Sequence, residues 1–175
     1  SLVGSEMCIR DRGRYIVTSV VYRLQKSPEL HLDYGNLRAS LLGDDISIAD
    51  VRKAVIEIRR SKLPEPDEYG SAGSFFMNPV IPTEQYEKLK SSYPDMPHYV
   101  VDDMHVKVPA GWLIDRCGWK GKSFGGAAVY EKQCLVLINK NNAKPNDVVA
   151  LAEMIRKSVS DTYGIVINPE VNYIE

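Results

Sequence analysis

The sequence predicts an α+β fold, with helices and strands mixed but without the regular alternation that builds a parallel sheet. Three observations carry that expectation. The run Tyr15-Ile16-Val17-Thr18-Ser19-Val20-Val21-Tyr22 is rich in β-branched and aromatic residues and reads as a strand. Val148, Leu151, Ala152, Ile155 and Val159 recur at helical spacing and form one apolar stripe. Between these ends lies a stretch from Lys62 to Pro79 with no periodicity, shaped by Pro64, Pro66 and Pro79 and by Gly70 and Gly73.

In chain order, the first strand spans about Tyr15 to Leu24. A polar connection through Pro28 and Tyr34-Gly35 leads to Ser47, which with Asp50 three residues on forms a helix-start box. Val51, Ala54, Val55 and Ile58 then line one face of a helix from about Ile48 to Arg60, with basic residues in its last turn. Pro64 ends that helix, which carries Lys62 to the mouth of the Lys62–Pro79 loop. Arg59, Arg60 and Lys62 cluster there, either as a solvated face near the helix dipole or as an anion site.

Pro82-Thr83-Glu84-Gln85 opens a short helix to about Ser91, with Tyr86, Leu89 and Tyr93 apolar. Val106-Lys107-Val108 is extended, and Pro109 suits the first turn of a helix carrying Gly111 to Cys117, with Trp112 as a core residue. The glycines from Gly118 to Gly126 form a second flexible connection. A strand of roughly Ala127 to Asn139 follows, whose apolar run Cys134-Leu135-Val136-Leu137-Ile138 fits burial on both faces. Asn146 is positioned to cap the next helix and Gly164 to end it, after which Ile165-Val166-Ile167 returns as strand. No Gly-x-Gly-x-x-Gly follows a strand to open a helix, which argues against a Rossmann dinucleotide site.

The 175 residues are enough for one good core or two small ones. A net charge of -1 argues against a general nucleic-acid binder. No apolar run approaches the roughly 18 residues of a membrane span, and the first residues lack the basic-then-apolar order of a secretion signal. A soluble, cytoplasmic protein is expected, with no membrane association. Cys8, Cys117 and Cys134 are odd in number and lack metal-ligand spacing, so free or buried thiols are expected. His31, His98 and His105 are equally scattered, and no metal site is expected. Ser1 to Arg12 fit nothing downstream and read as adapter-like sequence or as a disordered terminus.

The Lys62–Pro79 loop is the best place for chemistry. Ser74 follows Gly73 at a bend, where neighbouring backbone amides could cradle an anion, and Phe75-Phe76 can anchor the loop in a core. The same composition also fits a surface loop with two buried aromatics.

Lys62-Leu63-Pro64-x-Pro66 followed by Gly70-x-Ala72-Gly73-Ser74-Phe75-Phe76-x-Asn78-Pro79 resembles the signature loop of the UDP-N-acetylenolpyruvoylglucosamine reductase family. Three further blocks are similar and fall in the same order: Ala110-Gly111-Trp112-Leu113-Ile114-Asp115 with Gly125-Gly126-Ala127-Ala128-Val129; Gln133 with Leu135 to Asn139; and Pro169-Glu170-Val171. Together they span about Gly13 to Ile174.

The resemblance implies a flavoenzyme in which NADPH reduces FAD and the reduced flavin passes hydride to an enolpyruvyl double bond. That chemistry needs a proton donor at the adjacent carbon and cationic or hydrogen-bonding groups at the carboxylate. By match of motif, Ser74 is the proton donor and Glu170 the second catalytic residue, protonated or hydrogen-bonded so as not to repel the developing dianion. Lys62, Asn78 and Gln133 match substrate-contacting positions; read as residues alone, each is equally a surface or capping side chain. The implied domains are a flavin-domain remnant over 13–63, a substrate-binding domain over 64–164, and a return strand over 165–175.

The sequence departs from the family pattern in three places. Ser71 stands where Asn is usual, Met77 where Lys is usual, and Asn168 replaces the first acid of Glu-Pro-Glu-Val. The family's catalytic Arg, its Tyr-Arg clamp and its flavin loops have no counterpart after Gly13. The expectation is therefore that this polypeptide alone neither holds FAD nor turns over substrate, and that it needs no obligate protein partner. A reading from another class remains open, a non-catalytic module that binds a nucleotide-sugar or another phosphate ligand through the glycine loop and Lys62.

Overall fold

The structure, a computed structural model, describes residues 18–33, 37–41 and 46–173. The chain divides into two compact units, Ser1–Ile48 and Ala49–Glu175. The adapter-like segment Ser1 to Arg12 lies outside the described residues.

In the first unit the strand expected over Tyr15 to Leu24 is not formed across its described part, residues 18–24, which are irregular and exposed. Val21 and Leu24 are each 87% exposed. The β-branched run has strand propensity, but among the described residues no strand pairs with it, and propensity alone does not make a sheet. A 3-10 turn at Arg38–Ser40 follows Leu37, which is buried, as is Leu32.

Helix α1, Ile48–Lys62, begins as the periodicity predicts and runs two residues further, with Asp50 in its first turn and Arg59, Arg60 and Lys62 in its last. Ala54 is buried and Val51 and Ile58 half-buried, but Val55, assigned to the apolar face, is exposed.

The remainder is α+β, as predicted. Strands β1 (Gly70–Ser74), β2 (Val80–Pro82), β3 (Tyr99–Val100), β4 (His105–Lys107), β5 (Ser123–Phe124), β6 (Ala127–Val129) and β7 (Val136–Asn139) form two antiparallel sheets, ordered β1-β7-β6-β5 and β2-β4-β3. Helices α2 (Thr83–Ser92), α3 (Ala110–Arg116) and α4 (Pro145–Tyr163) accompany them. The stretch taken as aperiodic thus contains a strand, β1. Its Gly-Ser-Ala-Gly-Ser sequence has no strand propensity, and it is extended because it pairs with β7, Gly70 opposite Asn139 and Ser71 opposite Ile138.

The single strand expected over Ala127 to Asn139 is a hairpin of β6 and β7 instead. Polar Glu131-Lys132-Gln133 turn the chain, with Gln133 N–H donating to Tyr130 O and Val136 N–H to Gln133 O. Burial on both faces is as expected. Ala127, Val129 and Leu137 join the main core with Leu151, Ile155 and Val159 of α4, while Ala128, Tyr130, Val136 and Ile138 form a second cluster under Leu63 and Tyr69. The period-two alternation of these residues assigns them to opposite faces.

Helix α4 buries the predicted stripe at Leu151, Ala152, Ile155 and Val159 and ends at Gly164 in the left-handed conformation. Its start differs from expectation. Lys144 is the capping residue and Asn146 lies inside the helix. The Asp147 carboxylate, not Asn146, takes the Lys144 N–H at 2.9 Å and the Gly126 N–H at 3.1 Å. Those two hydrogen bonds lower the pKa of its carboxyl from the usual value.

Trp112 is half-buried, packing with Tyr93 and Tyr163 beneath the Arg116 guanidinium. After Gly164, Ile165 and Ile167 are buried and Val166 exposed, the alternation of a strand, yet the segment joins no ladder beyond one bridge between Phe76 and Pro169. Pro169 has no N–H to extend it.

Candidate functional site

Ser74 ends β1, and the backbone aims it deliberately. The register shifts between Ser71 and Ser74, so that Ser74 comes opposite Val136. Gly73 within that bulge has φ +78, a conformation that suits glycine because it has no Cβ to collide with the backbone. Ser74 is exposed, whereas Phe75 and Phe76 behind it are buried and meet edge to face at 5.1 Å between ring centroids. The anchoring role expected of the two aromatics is what the structure displays.

The expected anion cradle is weaker than the sequence suggested. The Phe75 N–H donates to Leu135 O at 2.7 Å and the Met77 N–H to Asn168 O at 2.9 Å, so neither amide is available to a ligand. The loop uses them to fasten itself to β7 and to the C-terminal segment.

That second fastening sets Glu170 opposite Phe75, the residue after Ser74. The Glu170 N–H donates to Phe75 O at 2.8 Å, and Phe76 pairs with Pro169, so the backbone of residues 168–170 lies antiparallel to that of residues 75–77. Glu170 is half-buried. Phe75 and Glu170, separated by 95 positions in sequence, are thereby neighbours across a short backbone ladder.

Asn78 and Gln133 both meet the start of α3. Asn78 Oδ1 accepts the Ala110 N–H at 2.9 Å, the capping role that the residue type allows. Gln133 Oε1 accepts a long hydrogen bond from Leu135 N–H at 3.4 Å, and it lies 3.4 Å from where a Cβ on Gly111 would fall. A side chain at Gly111 would therefore crowd the Gln133 amide. Because Leu135 also takes the Phe75 N–H, Gln133 is two residues from the strand contact that flanks Ser74.

Lys62 stands apart from these four. It is exposed at the end of α1, and its neighbour Leu63 lines a cleft of about 320 Å³ with Arg59, Arg60, Pro64, Ser71, Gly73 and Val136. Arg60 faces Glu65 at 3.5 Å. Solvent screens such an exposed pair. The cleft is at the small end of ligand sites. Sequence reasoning left Arg59 and Arg60 as a possible solvated face, and their position beside Gly73 depends on the chain doubling back from α1 to β1.

Arg156 went unnoticed altogether. Its Nε donates to Ile167 O at 2.9 Å and one terminal nitrogen bridges both oxygens of Glu153, at 2.7 and 3.0 Å. An arginine next to an apolar helical stripe looks solvent-facing in sequence, and no local pattern marks it otherwise.

Among the described residues, no cluster of His, Cys, Asp and Glu could hold a metal ion. Among them, too, no helix is long and apolar enough to cross a membrane.

Residues 65–174 match the family model described as UDP-N-acetylenolpyruvoylglucosamine reductase, C-terminal domain. The chain belongs to that reductase family. A curated relative bearing the reductase name, from Bacteroides fragilis, is 51% identical over 159 residues, covering 90% of this chain and 48% of the relative. Relatives of the same name from Flavobacterium johnsoniae and Paraburkholderia xenovorans are 43% and 45% identical over 93% and 91% of this chain. The chain spans about half the length of the reductases it matches, 50% and 47% for those two. The family match covers Ser74, Asn78, Gln133 and Glu170 and begins three residues after Lys62.

Proposed function

We propose that the chain is the C-terminal half of a cytoplasmic, FAD-dependent oxidoreductase that uses NADPH to reduce UDP-N-acetylglucosamine enolpyruvate to UDP-N-acetylmuramate, a peptidoglycan precursor. The observation that carries this reading is the short backbone ladder joining the Ser74 loop to the Glu170 segment. It supports the reading because the segment that carries Glu170 pairs with the residues that follow Ser74, and the reaction needs one proton and a group beside the developing charge.

Hydride, supplied by the reduced flavin when bound, leaves an enolate-like dianion on the pyruvyl group. Ser74 gives the adjacent carbon its proton. A hydroxyl is a weak acid, so the donation works because the enolate is strongly basic. With the Phe75 and Met77 amides committed to the fold, the alkoxide left behind is stabilised by cations, for which Arg59 and Arg60, lining one cleft with Gly73, are the sources. Glu170 stands at the developing charge in protonated or hydrogen-bonded form.

Asn78 and Gln133 contact substrate oxygens through amide groups whose oxygens already face the first turn of α3. Met77, where the family usually has Lys, removes one cation from the phosphate side and leaves Lys62 as the principal one. Residues 64–164 form the substrate-binding part, 13–63 complete the flavin-binding part, and 165–175 bring in Glu170.

The test is NADPH consumption. A full-length protein carrying this chain is expected to oxidise NADPH only when the enolpyruvyl sugar is present, while the chain alone is colourless and inactive. Purification of this chain as a yellow protein that oxidises NADPH unaided would overturn the division of labour, and a full-length protein indifferent to the sugar would overturn the reaction.

A further inference from the structure

The C-terminal segment that carries Glu170 is held to the Ser74 loop by a short backbone ladder. Met77 N–H to Asn168 O and Glu170 N–H to Phe75 O are the two hydrogen bonds of that ladder, and Pro169 between them donates nothing. Burial of Ile165 and Ile167 determines which face of the segment is inward. It does not determine where the chain goes after Ile167.

A side chain on α4 supplies that constraint. The guanidinium of Arg156 donates through Nε to the carbonyl of Ile167, three residues before Glu170, and is itself oriented by the Glu153 carboxylate. A charge-assisted bond from a planar donor fixes direction as well as distance. Beyond Glu170 the segment meets the Ser74 loop again, where the Tyr173 ring lies 6.4 Å from that of Phe75, and burial, then the Glu153 carboxylate, raises the Tyr173 phenol against the opposing charge of Arg156.

We infer that Arg156 is a positioning residue, a clasp that holds the register of residues 167–173 and so keeps Glu170 paired with Phe75, next to Ser74 in the chain. This rests on the function proposed above for its effect on catalysis, but not for the clasp itself. Arg156 touches no candidate substrate residue. Lys62, Asn78 and Gln133 are on other elements, so its loss is expected to reduce turnover while leaving substrate binding intact.

Two measurements test it. In this chain, Arg156→Met is expected to speed amide exchange at Glu170 and Met77 by on the order of tenfold, with Ile155 and Val159 of α4 unchanged. In the full-length enzyme the same variant is expected to lower kcat by about tenfold with KM within about twofold. Arg156→Lys, which keeps a cationic donor for Ile167 O, is expected to recover a large part of both losses, and Lys157→Met on the exposed face to change neither. Unchanged exchange at Glu170 and Met77 would overturn the clasp, and so would a kcat that survives Arg156→Met. Should Arg156→Met loosen α4 itself, Arg156→Lys decides: failure to restore exchange in an intact helix overturns the proposal. A wild-type enzyme inactive on the enolpyruvyl sugar would defeat the proposed function, and the exchange data would then judge the clasp alone.

Discussion

The Glu170 N–H donates to the carbonyl of Phe75 at 2.8 Å, so the acid sits across the backbone from the residue that follows Ser74. Ser74 pairs with Val136 of β7 and is followed by the Phe75 N–H bond to Leu135, and the Glu170 backbone is bound to the Ser74 loop. The site is therefore as stable as the packing of Phe75 and Phe76 beneath it.

Phe76 is 1% exposed and forms the bridge to Pro169. Phe76→Ala is expected to destabilise this chain by about 3–5 kcal/mol in urea unfolding, the cost of removing a buried aromatic side chain. A loss below about 1 kcal/mol would mean that the ladder is not built on this ring.

Asn78 has two expected duties that substitution can separate. Asn78→Ala strands the Ala110 N–H, which Asn78 Oδ1 now takes at 2.9 Å, at a cost of about 1–2 kcal/mol. Asn78→Asp keeps an acceptor there and should recover most of that stability, while its charge repels a diphosphate ligand. Equal stability losses for the two variants would remove the capping role.

Two glycines make a contrasting pair. A Cβ on Gly126 would lie 2.5 Å from backbone atoms of Asn141 and Ala143, whereas one on Gly73 meets nothing within 4 Å. Gly126→Ala is expected to cost about 1–3 kcal/mol, because backbone must move. Gly73→Ala is expected to cost about 1–2 kcal/mol from its positive φ alone. Chemical denaturation reads both, and amide exchange discriminates further. Gly73→Ala should disturb only the β1 bulge, while Gly126→Ala should loosen the Asp147 contacts at the start of α4.

Burial pushes the Cys134 thiol up to about 11, from a reference value of 9.0, with Asp115 adding to the rise and Lys120 opposing it. Tyr163 is pushed up to about 12, from 10.0, chiefly by burial. In both cases the unfolded chain loses its proton at lower pH than the folded one. The folded state therefore holds more protons through this range, and stability falls as pH rises. The contribution of Cys134 should be intact below pH 9 and lost by about 11, and that of Tyr163 lost between about 10 and 12. Urea midpoints from pH 8 to pH 11 should decline, and Cys134→Ala should flatten the part between 9 and 11. A flat wild-type profile would contradict the assignment.

Helices were the most legible part of this sequence, because each carries its own period. The stripe from Val148 to Val159 and the Pro109 start needed no partner to be recognised. Strands were less so. Gly70–Ser74 has no strand propensity and is extended by pairing with β7, while Tyr15 to Tyr22 has strong propensity and, in its described part, forms no strand. Pairing outweighed propensity in both directions.

The hairpin hidden in Ala127 to Asn139 was signalled by Glu131-Lys132-Gln133, a polar interruption set against a continuous apolar run. The candidate site was legible as motifs, not as contacts. Ser74, Asn78, Gln133 and Glu170 were named from sequence, whereas the ladder that ties Glu170 to the residues after Ser74 and the bond from Arg156 to Ile167 depend on elements far apart in the chain.

If Ser74 is the proton donor proposed above, the single-turnover rate of enolpyruvyl reduction by full-length Ser74→Ala is expected to fall by roughly 10²–10⁴, with substrate affinity within about twofold of wild type. A variant that reduces the sugar at close to the wild-type rate would contradict that role.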